Sequence, residues 1–321
     1  MSHLVETMAY AHDKNSKKEE YSVPWHGLGV PVGTDLSAQE MREAAGLDWD
    51  VLKVPQYIKW KGKEKLSGES AVVRSSDGKI LTHTSEDWEP VLNKEAFDFF
   101  HDFVEEGHLQ MNTAGSLKDG KLVWALAKTN ESFALFGKKD QVDSYLLFSN
   151  PHEYGKCLDI RHTNVRVVCN NTLTLALNGK NDTVVRLNHR QKFDAEFVKE
   201  TMGLSSKKFG EYKEMAEFLA GRKFKKALLG KYFDEVFPSG SKKEDNEKLS
   251  RPAQTCLDSM DTQPGHEFGA GTWWAAFNSV TYNIDHTLGH SVDTRLQSSW
   301  YGSNRKKKIV ALNKAVEYAN A

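Results

Sequence analysis

Between Asn93 and Leu187 the chain sets one amphipathic helix ahead of a run of β segments, and that order limits the folds open to it. Asn93 reads as a helix cap, and Gly107 follows the helix end. Ala96, Phe97, Phe100, Phe103 and Val104 recur at the three- and four-residue steps that give a helix one apolar face. Three β runs follow, over 110–117, 121–128 and 144–150, and Lys118-Asp119-Gly120 forms the turn between the first two. The segments 160–169 and 183–187 extend the sheet, with a short helix expected near 172–177 between them. Short turns join antiparallel neighbours. With 194–229 helical and charged, the expected class is α+β: an antiparallel β-meander sheet packed by helices, with a helical C-terminal unit.

The flanks complete the plan. Residues 1–24 read as a flexible N-terminal lead, 25–238 as an α+β core domain, 239–251 as a polar linker or loop, and 252–321 as a helical, aromatic-rich unit packing on the core. Within the core, Ser37 and Glu40 form a capping box ahead of a helix over 38–45 that stops at Gly46. Residues 47–60 look strand-like, with Pro55 as an interruption. A polar turn over 61–68 then leads to a hairpin centred on Asp77-Gly78. In the C-terminal unit a helix begins within Gly271-Thr272-Trp273-Trp274, Trp300-Tyr301-Gly302 makes a turn, and Asn304 caps a last helix through Tyr318.

Forty-three Lys and Arg stand against 44 Asp and Glu, a formal net charge of −1, which excludes whole-protein basicity as a binding device. A site for a polyanion must therefore be a local patch. Cys157, Cys169 and Cys256 include no Cys-x-x-Cys pair, and three is an odd number, so a disulfide framework is not expected and a reducing, cytoplasmic setting is. The polar N-terminus has no apolar signal core. No apolar run reaches the roughly 20 residues that span a bilayer.

The local patch is a strip from about 156 to 192. It carries Lys156, Arg161, Arg166, Arg186, Arg190 and Lys192, with Asn170 and Asn171 at a turn. Arginine forks a phosphate and asparagine reaches sugar or base edges, so the strip reads as a phosphate-tracking groove. The plainer reading is a sheet with solvated arginines and an asparagine cap. Strand alternation places Arg161, Thr163 and Val165 on one face and Arg166 with Asn164 on the other, so the arginines need not converge. Tyr145, Phe148, Tyr154 and Phe193 are the nearby aromatics on which bases could stack, although Phe148 fits a core position better. Arg305-Lys306-Lys307-Lys308 opens the last helix against its macrodipole, which suggests a phosphate or a neighbouring subunit as its partner; the alternative is a solvated helix start.

Enzyme signatures are sparse. The sequence contains no P-loop, no dinucleotide-binding glycine frame and no Gly-x-Ser-x-Gly elbow. No catalytic residue, metal site or cofactor is assigned. His286 and His290 stand four apart beside Asp285 but lack the glutamate of a metalloprotease helix, and Cys169 reads as a small buried residue before it reads as a nucleophile paired with a histidine.

From about Pro24 onward the chain resembles the phage/plasmid-like protein family, long catalogued as a domain of unknown function. The resemblance is carried by Trp25-His26-Gly27-Leu28-Gly29, Ala44-Ala45-Gly46-Leu47-Asp48-Trp49, Ala114-Gly115-Ser116-Leu117 with Gly120-Lys121-Leu122-Val123-Trp124, Val165 through Leu173, and Trp274-Ala275-Ala276-Phe277-Asn278 through His286. The order of elements and the basic strip are also distantly similar to Rad-fifty-two-like single-strand annealing proteins. That resemblance implies an ATP-independent, non-enzymatic protein of recombination or replication, binding single-stranded DNA as a homo-oligomer, in a ring, in the cytoplasm of the host cell. A structural or host-interaction protein of a phage is the second expectation. A metal-dependent nucleic-acid enzyme using Asp285, His286 and His290 is the third.

Overall fold

The computed structural model describes residues 5–12, 29–106, 108–169, 171–175, 185–187, 195–239, 249–289 and 292–321. In chain order the elements are β1 (Val5–Ala11), β2 (Val30–Val32), α1 (Ala38–Ala44), β3 (Val51–Trp60), β4 (Lys63–Arg74), β5 (Ile80–Ser85), α2 (Asn93–Glu106), β6 (Gln110–Leu117), β7 (Leu122–Leu135), β8 (Asp140–Pro151), β9 (Leu158–Arg166), β10 (Asn171–Leu175), β11 (Val185–Leu187), α3 (Ala195–Ala220), α4 (Lys226–Val236), α5 (Arg251–Ser259), α6 (Trp273–Tyr282), α7 (Val292–Tyr301) and α8 (Ser303–Asn320). The class is α+β, with one large, mostly antiparallel sheet, a second small sheet and a helical C-terminal region.

The large sheet runs β10-β9-β8-β7-β6-β1-β2, so β6 to β10 form the meander. β11 pairs with the first residues of β9, and β10 with its last five. The small sheet is β3-β4-β5. Alternation along the strands gives the large sheet two apolar faces. Leu146, Phe148 and Ile160 pack with α1, α2 and the start of α3, around Phe97, Phe100 and Phe103. On the other face Trp124, Tyr145, Leu147 and Val165 pack against Leu296 and Trp300 of α7. A third core joins α3, α4, α5, α6 and α8 with the far ends of β7 and β8 and with β10, around Trp273, Trp274 and Phe277.

Several elements depart from the sequence expectation. Residues 5–11, expected in the flexible lead, form an interior strand between β6 and β2, with Ala9 fully buried; the rest of that lead lies outside the described residues except His12. Of the helix expected near 172–177, residues 172–175 belong to strand β10 instead, because Thr172 and Thr174 pair with Val165 and Thr163 of β9, and 176–177 lie outside the described residues. The polar turn expected over 61–68 is only two residues wide, and Lys63 already belongs to β4. Trp300 and Tyr301 close α7, and Gly302 rather than Asn304 precedes α8. Residues 240–248 of the expected linker lie outside the described residues.

At β6 the sheet leaves no room for a side chain at Gly115. A Cβ there would stand 2.5 Å from the Thr7 carbonyl oxygen and 2.9 Å from the Trp124 ring. Gly115→Ala is therefore expected to lower stability by about 1–3 kcal/mol, read as an earlier urea midpoint. An unchanged midpoint would mean that β1 does not lie on β6.

Candidate nucleic-acid interface

The strip residues do not form one exposed groove. Arg161 and Arg166 point to opposite faces of β9, as strand alternation requires. Arg161 lies over the Tyr301 ring at 5.2 Å and donates to Asp159 through Nε and Nη2. Lys156 is half-exposed and paired with Glu153. Arg186 sits on β11 in register with Asp159. Asn170, Arg190, Lys192 and Phe193 lie outside the described residues.

Arg166 is the clearest correction to the groove. It is 4 % exposed, and its Nε and Nη2 donate to the two carboxylate oxygens of Asp140 at 2.7 and 2.9 Å. Nη2 also donates to the Gly265 carbonyl, and the Trp274 indole donates to Asp140 at 2.7 Å. Burial opposes the charge of Arg166, but Cys169 and Asp140 outweigh it and hold its pKa above the usual arginine value. Buried in this way, with Nη1 also donating to Cys169 Sγ at 3.7 Å, the guanidinium is out of a phosphate's reach. Burial also pushes the Cys169 thiol up, the wrong direction for a nucleophile.

Asn171 is a second correction. It is buried, and its amide donates to Thr281 Oγ1 at 2.9 Å while its oxygen accepts from His286 Nε2 at 3.2 Å. Next to it, Asp285 accepts from the Thr172 backbone at 2.8 Å, from Ser299 Oγ at 2.7 Å and from Lys308. Although burial opposes it, Lys308 and His286 hold the Asp285 carboxyl below its ordinary range. Asp285 is thus engaged by protein donors, and His290 lies outside the described residues. Among the described residues no three His, Cys, Asp or Glu side chains are grouped to hold a metal ion. The basic start of α8 is explained in part by the same network: Lys308 is fully buried against Asp285, and Arg305 is buried too, while Lys306 and Lys307 are exposed.

Of the stacking candidates, Tyr145 and Phe148 are core residues, while Tyr154 is 55 % exposed and meets the Trp88 ring edge-on.

A further set of exposed aromatic and basic groups lies on the β3–β4 hairpin. Lys61 and Gly62 form its two-residue tip with φ of 47° and 76°, the left-handed pair that a tight hairpin requires. The register runs Tyr57 opposite Leu66, Ile58 opposite Lys65, Lys59 opposite Glu64 and Trp60 opposite Lys63. Tyr57 is 63 % and Trp60 66 % exposed. Lys59, Lys61, Lys63 and Lys65 are exposed as well, and among the described residues none of them forms an ion pair. Lys53, nearer the base, is different: it is held by Glu89 and by the Glu86 and Trp88 carbonyls. The outer part of the hairpin, 57–66, therefore presents four lysines outside any ion pair among the described residues and two exposed rings, with Glu64 the carboxylate between them and Glu69 farther along β4. Only the aromatic strand character of 47–60 was visible in the sequence; the lysine-rich half read as a turn.

Among the described residues no helix is long and apolar enough to cross a membrane. The three cysteines are free thiols. A family model described as "Domain of unknown function (DUF932)" matches residues 80–316. No curated protein and no solved structure matches the chain.

Proposed function

Because the chain belongs to the DUF932 family, whose description carries no activity, we propose its function from its surface: it binds single-stranded nucleic acid without covalent chemistry, and the β3–β4 hairpin is its contact element. The observation that supports this most is the exposed Trp60 ring beside Lys61, Lys63 and Lys65 on one ribbon, lysines that form no ion pair among the described residues. Bases stack on aromatic rings without regard to sequence, and lysines neutralise the backbone beside them. Within that class, strand annealing without ATP by a cytoplasmic homo-oligomer of phage or plasmid type is the activity that the sequence resemblance implies. The hairpin replaces the 156–192 strip as the element offered to DNA. A second reading, a protein-interaction module, has one observation in its favour. Leu52, Val73 and Ile80 lie in one cross-strand row of the small sheet, and Leu52 and Ile80 are about half exposed.

Fluorescence anisotropy with labelled single-stranded DNA over a salt series tests the proposal. Three lysine–phosphate contacts, at Lys61, Lys63 and Lys65, with Lys59 set opposite Glu64, predict a log–log slope near −2, from about −0.7 per contact. Adding the complementary strand should give faster pairing than DNA alone, with no ATP. Absence of binding at low salt would overturn the reading and put the interaction module first.

A further inference from the structure

We infer that the two faces of the hairpin are not equivalent, and that its Trp60 face is the one that takes nucleic acid, as an unpaired segment. The inference rests on the nucleic-acid reading above. Directly opposed residues of an antiparallel pair share a face, and successive residues alternate. The register therefore puts Ile58, Trp60, Lys63 and Lys65 on one face and Tyr57, Lys59, Glu64 and Leu66 on the other.

The charges divide unequally. Lys63 lies directly across from Trp60 and Lys65 diagonally from it, and no carboxylate stands among Ile58, Trp60, Lys63 and Lys65. Lys59 has Glu64 directly across from it, which cancels its field at the distance of a phosphate. Only the Trp60 face therefore combines an open ring with uncompensated cations. The tip adds to it, since the Lys61 ammonium stands 5.8 Å from the Trp60 ring centroid and leans its charge toward that ring. The opposite face is neutral, and its open surface is Tyr57 beside Leu66, both more than half exposed.

The ring also sets the class of ligand. Stacking on Trp60 needs a base whose flat face is uncovered, and the inner bases of a duplex are covered on both sides by their neighbours. A flexible single strand can place a base on the ring and its flanking phosphates at Lys63 and Lys65 together. Ile58, Trp60, Lys63 and Lys65 include no amide, guanidinium or carboxylate to read base edges bidentately, so sequence preference is weak.

The test uses the full chain and a labelled oligothymidylate of about eight nucleotides, within the roughly 4–16 that such sites span. Trp60→Ala should weaken binding by about 5- to 150-fold, the equivalent of the ~1–3 kcal/mol that one stacked base contributes. Trp60→Phe, which keeps a ring, should restore most of it. Lys63→Gln and Lys65→Gln should each flatten the salt slope by about 0.7. Tyr57→Ala and Lys59→Gln should leave both affinity and slope near those of the parent. A blunt duplex of the same length should compete about tenfold less well or worse, the loss of most of one stacking contact. Thermal melts of each variant check folding, which these exposed positions should leave unchanged. If the Tyr57 and Lys59 variants carry the loss, or both faces lose alike, the face assignment is overturned while the hairpin remains the contact. If duplex competes as well as single strand, the unpaired class is overturned. If the parent protein does not bind at low salt, the nucleic-acid reading itself fails, and this inference with it.

Discussion

Asp140→Ala is expected to destabilise the protein by about 3–5 kcal/mol, the cost of leaving a buried charge without its partner. The carboxylate is fully buried and accepts three side-chain hydrogen bonds, two from Arg166 and one from the Trp274 indole. Removing it strands a guanidinium and an indole N–H in a site that excludes water. The pair also ties together distant stretches of chain, since Asp140 opens β8, Arg166 closes β9 and Trp274 lies in α6. Urea unfolding gives the number. Asp140→Leu combined with Arg166→Met should recover much of the loss, because replacing both ions with apolar groups of similar size is often close to neutral. The Trp274 N–H remains unpaired in that double variant, at about 1–3 kcal/mol, so the recovery stays partial. Arg166→Met alone should lower stability while leaving the DNA salt slope of the folded protein unchanged. A phosphate-binding Arg166 would do the reverse, flattening the slope at little cost in stability. A loss below about 1 kcal/mol for Asp140→Ala would mean that the pair is open to solvent.

That contrast shows where the sequence stopped being readable. Alternation along β9 could be read from Arg161 to Arg166, and the opposite orientation of the two arginines follows from it. Which of them is buried could not be read. Asp140 lies 26 residues before Arg166, and nothing local marks it as the partner. The same holds for Asn171 and Thr172, whose partners Thr281 and Asp285 lie more than 100 residues away. Without those partners, a polar segment after a turn looks like a helix cap. The helix α2 and the meander were legible because their signals are local: apolar spacing in one, turns between β runs in the other. The hairpin was half legible. Lysine at alternate positions suppresses the hydropathy signal of a strand, and only the register opposite Tyr57–Trp60 restores it. Charge counting thus located basic residues but could not separate those spent on internal carboxylates from those left for a partner.

His162 leads to a pH effect of comparable size. Its ring is fully buried between β9 and α3, with Nδ1 2.9 Å from Ser205 Oγ and Nε2 2.9 Å from Asn164 Oδ1. The amide oxygen can only accept, so Nε2 carries the proton and Nδ1 accepts from the serine, which fully satisfies a neutral imidazole. Burial, with the nearby Lys208 adding to it and the Asn164 hydrogen bond opposing it, pulls the pKa down to about 4. An unfolded chain returns the histidine to about 6.5. Between those values the unfolded state holds a proton that the native state lacks, so stability falls as the pH falls. The contribution is complete above about pH 6.5 and declines by about 1.4 kcal/mol per unit through the window. By about pH 4 roughly 3 kcal/mol is gone. Asp285 is held below its ordinary range and gives way only in more acid solution, beneath the ~3.9 of a free aspartate, so the two losses occupy separate windows. Urea midpoints between pH 7 and pH 4.5 should drop steeply in the parent and less steeply in His162→Gln, which keeps hydrogen-bonding atoms and cannot titrate. Equal slopes in the two proteins would mean that His162 meets water in the native state, and would place α3 away from β9.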